Sequence, residues 1–228
     1  MSLRTLVTDP GAFFAARQDD YSLAGPAAVV VAHALLALAG TVVVLQAVGD
    51  VVTAADAARV VYAAGSQRVS APRDIVLAVW ATGGLYFALW LAVAAVAYLV
   101  SLYFDGAGSF RRLLAFVGWT LVPTLVPTAL RAVVMAAVFL GAPEFATEAA
   151  LREWVRAEVV DNPAYVAASA VRPVFTLWMV YLWVLAAQYG RELSRRGAVV
   201  AVALPGVLAS INAVGTLAVL AGRALGLV

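Results

Sequence analysis

A nucleophilic serine needs a general base. This chain has one histidine, His33, to offer a serine such as Ser210, and nothing in the sequence brings the two together. A zincin helix needs two histidines in HExxH, which one histidine cannot supply. All fifteen basic residues are arginine, so neither a Walker A loop nor a Schiff-base lysine can be built. No Gly-x-Ser-x-Gly elbow occurs. The run Gly106-Ala107-Gly108 lacks the third glycine and the preceding strand of a dinucleotide loop, and reads as a tight turn. There are no cysteines, which removes disulfides, thiolate chemistry and Cys-ligated metals. The expectation is a protein with no catalytic residues, no cofactor and no metal.

The elements around these residues have an unusual solvent. Of 228 residues 64% are hydrophobic and 12% charged, with mean hydropathy +0.96. An average soluble domain carries about 25% charged residues, so this surface must face hydrocarbon. A net charge of +2 is too small to point to nucleic acid. Five segments approach the roughly 20 apolar residues a bilayer span requires: 24–48, 75–104, 113–140, 164–189 and 198–222. The runs are continuous rather than alternating, which excludes a β-barrel. The sequence predicts an all-α membrane protein, a five-transmembrane-helix bundle. Residues 1–23 form a short cytoplasmic N-terminal segment, 24–222 the membrane domain and 223–228 a short tail. The first apolar run is too long for a signal peptide and reads as a retained span.

The loops set the orientation. Two are short and basic, Asp105–Arg112 and Gly190–Gly197; two are long, Gly49–Asp74 and Gly141–Pro163, the latter acidic. Arginine beside span ends marks the cytoplasm, so the N-terminus and both short loops are expected there. Arg111, Arg112, Arg191, Arg195 and Arg196 are candidate contacts for anionic lipid headgroups, each contributing about 1 kcal/mol near the surface. Both long loops are expected to be partly helical. Thr53 and Asp56 have a capping-box spacing for a helix over Thr53–Tyr62. Leu151, Trp154, Val155 and Val159 share one face of a helix over Thr147–Val160.

Polar residues within spans are functional candidates by default. Arg131 and Arg172 fall about 27 and 26 Å from the cytoplasmic span ends at 1.5 Å per residue. Both can snorkel to the outer boundary, where they would anchor the helices, pair with Glu144 or Asp161, or hold an anionic ligand. His33 and Asn212 are deeper, and an interhelical hydrogen bond between them is one option among several partners. No acidic residue lies well inside a span, which argues against proton- or sodium-coupled transport. Gly84, Ala88 and Ala92, and Ala201, Pro205, Ala209 and Ala213, form small-residue rows expected to pack helices closely, within the monomer first and in a dimer as the alternative. Prolines 123, 127, 173 and 205 are expected to kink or unwind their helices.

Asp105-Gly106-Ala107-Gly108-Ser109-Phe110-Arg111-Arg112-Leu113-Leu114, then Val117-Gly118-Trp119 and Pro123, resembles the central signature of the Yip family, the Ypt/Rab-interacting integral membrane proteins. Asp9-Pro10-Gly11-Ala12-Phe13-Phe14 looks like the family's approach to the first span. Trp178 through Tyr189, with Arg191 to Arg196 and Pro205, looks like its last helical hairpin. The signature positions are Gly106, Gly108, Ser109, Phe110, Arg111, Arg112, Gly118 and Pro123. Ser109 is placed to cap span three. The resemblance implies five spans, a cytoplasmic N-terminus and no catalytic activity. In eukaryotes the family is tied to vesicle traffic and Rab-type GTPases, through members with a long cytosolic N-terminal region. This chain has about 23 residues there, so GTPase binding is not expected to carry over. The expectation is a prokaryotic-type member, multi-pass in the cell membrane. Its partners would be lipids and other membrane proteins, and it would serve membrane organisation, trafficking or protein assembly. The alternatives are a small permease or channel lined by Thr124, Thr128, Ser210 and Asn212, or an accessory subunit of a membrane complex.

Overall fold

The computed structural model describes residues 3–52, 59–64, 67–145 and 147–224. In chain order the elements are α1 (Leu3–Thr8), α2 (Pro10–Ala15), α3 (Ala24–Val52), β1 (Arg59–Ala64), β2 (Gln67–Pro72) and α4 (Arg73–Ser101). Then follow α5 (Phe110–Trp119), α6 (Leu125–Phe139), α7 (Glu148–Val155), α8 (Pro163–Arg191), α9 (Arg195–Ala201) and α10 (Ala203–Ala224). Five stretches are long and apolar enough to cross a membrane: Ala24–Val44, Trp80–Phe104, Phe110–Phe139, Pro163–Arg191 and Ala203–Gly222. Their outward residues are apolar, with Leu35, Leu99, Leu204 and Ile211 all more than half exposed. The chain is a multi-pass α-helical membrane protein.

The prolines act unequally. Pro123 lies in the 3-10 turn Val122–Thr124 that separates α5 from α6. Pro127 and Pro205 each stand in the first turn of a helix, α6 and α10, where a proline's missing N–H has no intrahelical acceptor to lose. The break in front of span five therefore falls at Val202, three residues before its proline. Pro173 sits inside an uninterrupted α8.

The chain divides into two compact units, one of residues 1–33, 86–127 and 169–228, the other of 34–85 and 128–168. The first unit has a core of Leu6, Phe13, Phe14, Phe116, Leu182 and Trp183 with small residues such as Ala94, Ala97 and Ala186. Its N-terminal segment is thus part of the core rather than a tail. Asp9 caps α2 by accepting from the Ala12 N–H at 3.0 Å, and Pro10 opens the helix. Phe13 meets Phe14 and Trp119 edge-on at 5.4 and 5.7 Å, and Phe14 lies 5.2 Å from Phe116. Asp9→Ala removes a cap worth about 1 kcal/mol. Amide hydrogen exchange over residues 11–15 is expected to quicken about fivefold; an unchanged rate would show that the cap is idle.

The second unit packs α7 as its spacing predicts. Thr147 caps the helix, Val159 is buried with Phe139, and Leu151, Trp154 and Val155 pack against them. The other long loop differs from expectation. Thr53–Ala58 lie outside the described residues, and Arg59–Tyr62 are strand, not helix. Strand β1 pairs antiparallel with β2, in register from Arg59 opposite Pro72 to Ala64 opposite Gln67. Val60, Val61, Tyr62 and Val69 favour a strand.

One packing expectation is reversed. Gly84, Ala88 and Ala92 are all exposed, and a Cβ at Gly84 would meet nothing within 4 Å. α4 turns Val93, Ala94 and Ala97 inward instead. On span five the expectation holds, with Ala201 and Ala213 buried and Pro205 and Ala209 half-buried.

Candidate functional site

The polar chemistry of the first unit gathers where α4 turns into α5 and α8 turns into α9. The two turns are built alike. Asp105 (φ 54°) and Glu192 (φ 58°) are both left-handed. The next residue's N–H reaches back five residues, from Gly106 to Ser101 O at 3.2 Å and from Leu193 to Gln188 O at 3.0 Å. These are Schellman closures, which satisfy the last carbonyls of a helix. A serine then caps the following helix: Ser109 accepts from Arg112 N, and Ser194 from Gly197 N, each at 3.2 Å. Each cap is followed by an Arg-Arg pair, 111–112 and 195–196.

Two arginines cross between the turns. Arg112, from the first, donates Nε to Gly190 O at 3.0 Å, Nη1 to Gln18 O at 3.3 Å and Nη2 to the Glu192 carboxylate at 2.5 Å. Arg191, from the second, donates Nε to Ser101 Oγ at 2.8 Å and Nη2 to Gly106 O. Its guanidinium lies 4.4 Å from the Tyr98 ring centroid, a cation–π distance. Backbone closes the pair, as Ala107 N–H donates to Arg191 O at 3.0 Å. Gly108 is required by this proximity: a Cβ there would overlap the Gly190 carbonyl and the Arg112 guanidinium. Gly118 serves a similar purpose lower in α5, where a Cβ would strike Pro26 and Trp90.

The N-terminal segment straps both turns. Gln18 Nε2 donates to Tyr189 O at 3.0 Å, and Tyr21 Oη pairs with Ser109 Oγ at 3.0 Å. Arg17 stacks 3.7 Å over Phe13 and donates to its carbonyl at 3.1 Å. Burial pulls its pKa below the usual arginine range.

The five arginines expected at headgroups therefore separate. Arg112 and Arg191 are buried, 9% and 3% exposed, and spend their donors on protein acceptors, which corrects their assignment to lipid contact. Arg111, Arg195 and Arg196 are exposed. Phe110 packs edge-on against Tyr98 at 5.4 Å. Arg131 and Arg172 are exposed, and no ion pair joins Arg131 to Glu144 or Asp161 among the described residues.

His33 is buried, but its partner is not Asn212, which is exposed on α10. Its Nε2 lies 3.0 Å from Leu121 O and 3.2 Å from Thr124 Oγ1, and the ring stacks on Tyr86 at 5.1 Å. The Leu121 carbonyl already accepts the Thr124 N–H of the 3-10 turn at 3.0 Å, so His33 Nε2 lies against a carbonyl at the helix break rather than against Asn212. Thr124 also donates to Leu121 O, at 2.8 Å, so its hydroxyl serves the helix break. Among the described residues no group of three His, Cys, Asp or Glu could hold a metal.

The crossed arginines and the strap were beyond sequence reasoning. The available signals were the Asp9-Pro10 helix start and the Phe13-Phe14 pair, too large and apolar to be left in water.

Five apolar helices define a polytopic helical membrane protein, and in its first unit crossed arginines clasp two turns together. The Yip1 domain matches residues 4–216, and the chain belongs to that family, a family of non-enzymatic membrane domains. No curated protein and no solved structure matches the chain.

Proposed function

We propose that this chain is a non-enzymatic, prokaryotic-type Yip protein of the cell membrane, with its N-terminus and both clasped turns in the cytoplasm. It acts in membrane organisation, trafficking or protein assembly by presenting a rigid basic surface to anionic headgroups and to membrane-protein partners. The observation that carries this reading is the division of labour among the arginines. Arg112 and Arg191 lock the two turns together, and Arg111, Arg195 and Arg196 remain exposed on that locked base. Arginine beside span ends favours the cytoplasmic side, and exposed Arg131 and Arg172 suit anchors near the opposite boundary.

The test is the lipid retained by the protein in nanodiscs of mixed phosphatidylglycerol and phosphatidylcholine. Near-surface arginines contribute about 1 kcal/mol each. The triple variant Arg111→Glu, Arg195→Glu, Arg196→Glu is thus expected to lose at least tenfold of its phosphatidylglycerol enrichment with its melting temperature held. Equal enrichment in parent and variant would remove the headgroup role.

A further inference from the structure

The second unit contains a cavity of about 520 Å³ between α6, α7 and the start of α8. Val134 and Val138 of α6 give it an apolar wall, and Trp154 of α7 an aromatic one. Trp154 is held in place by Phe139, edge-on at 5.2 Å, and Phe145, tilted at 5.3 Å. The polar lining comes from Glu158 and Asn162. Glu158 belongs to a π turn, Arg156–Val160, which follows α7 directly; such turns recur at functional sites. Asn162 Oδ1 caps α8, accepting from Ala164 N at 2.9 Å and Tyr165 N at 3.4 Å. Its NH2 group is therefore the part left to donate outward.

Each feature restricts the occupant. Among the described lining residues Glu158 is the ionisable one, so the charge it selects is positive. An indole beside a carboxylate suits an ammonium, by cation–π attraction and by charge. Asn162 adds a donor for an oxyanion. The valine wall adds a surface for hydrocarbon. The cavity also sits where span three ends, at Phe139, and span four begins, at Pro163, and the ends of membrane spans meet the headgroup region.

We propose that this cavity binds an aminophospholipid of the phosphatidylethanolamine type. Glu158 accepts from the ammonium beside Trp154, Asn162 donates to the phosphate, and the acyl chain follows Val134 and Val138. This goes beyond the basic-surface reading and does not depend on it.

The experiment is native mass spectrometry of the detergent-purified full chain, titrated with dioleoyl-phosphatidylethanolamine or dioleoyl-phosphatidylglycerol. The parent for this titration carries Arg111→Glu, Arg195→Glu and Arg196→Glu, which removes the basic surface's own hold on phosphatidylglycerol, and it is expected to retain the ethanolamine lipid at least fivefold better than the glycerol lipid. Glu158→Gln, at an exposed position, should lose about tenfold of that retention and leave glycerol-lipid binding unchanged. Asn162→Asp keeps the cap oxygen but removes the donor, and should also weaken ethanolamine-lipid retention. Melting temperatures matching the parent would show that both variants fold. Equal retention of the two lipids by the parent, or unchanged retention in Glu158→Gln, would overturn the proposal. Displacement of the lipid by free phosphoethanolamine at matched concentration would overturn the assignment to a membrane lipid.

Discussion

Arg112→Met is expected to destabilise the protein by about 3 kcal/mol, because it leaves carbonyls without donors rather than because it breaks an ion pair. A buried acceptor stripped of its partner costs about 1–3 kcal/mol, and Arg112 serves both Gly190 O and Gln18 O. Methionine fills much of the vacated volume but offers neither carbonyl a hydrogen. The ion pair contributes less. The Glu192 side chain is 49% exposed, and exposed pairs are worth about 0–1 kcal/mol. Glu192→Gln should therefore cost under about 1 kcal/mol. Arg112→Lys should recover little, since an ammonium is a point charge that cannot reproduce a fork reaching three acceptors. Equilibrium unfolding in detergent, read by steric trapping, separates these cases. If Glu192→Gln cost as much as Arg112→Met, the clasp would be electrostatic, and the hydrogen-bond account would be wrong.

Arg112 and its neighbour Arg111 also mark where sequence reasoning reaches its end. Both count equally as arginines beside a span, and that is all a charge-density rule can use. On the helix they point about 100° apart. That rotation puts one guanidinium among backbone carbonyls and leaves the other exposed. The spans themselves are legible because hydrocarbon thickness sets their length, whatever they pack against. The face each span turns inward is not legible. When lipid and protein interior are equally apolar, polarity carries no record of which side is buried. That is why Gly84, Ala88 and Ala92 face outward against expectation, while α7, with a polar side, follows its spacing. Ser109 is legible as a cap because capping is local chemistry. The strand at Arg59–Tyr62 shows β-branched residues outweighing a weak capping signal.

Phe14→Ala tests the element that was hardest to foresee. Helices α1 and α2 have six residues each, too short to hold themselves together in water. Their order comes from what they bury: Leu6, Phe13 and Phe14 are fully inaccessible in the core of the first unit. Removing a buried phenylalanine costs about 3–5 kcal/mol. The loss should fall first on the strap rather than on the spans, because the spans are retained by hydrocarbon independently of it. Opening the strap uncovers Arg17, which otherwise stacks on Phe13. It also withdraws Gln18 from Tyr189 and from Arg112. Limited trypsin digestion is then expected to cut Phe14→Ala after Arg17 at least a hundredfold faster than the parent, with helix content by circular dichroism nearly unchanged. Arg112→Met should raise the same cleavage by a smaller factor, since it removes one of the strap's hydrogen bonds and none of its aromatic contacts. Cleavage after Arg17 at equal rates in parent and Phe14→Ala would mean that the N-terminal segment is a tail after all. The two clasped turns would then have to hold one another without it.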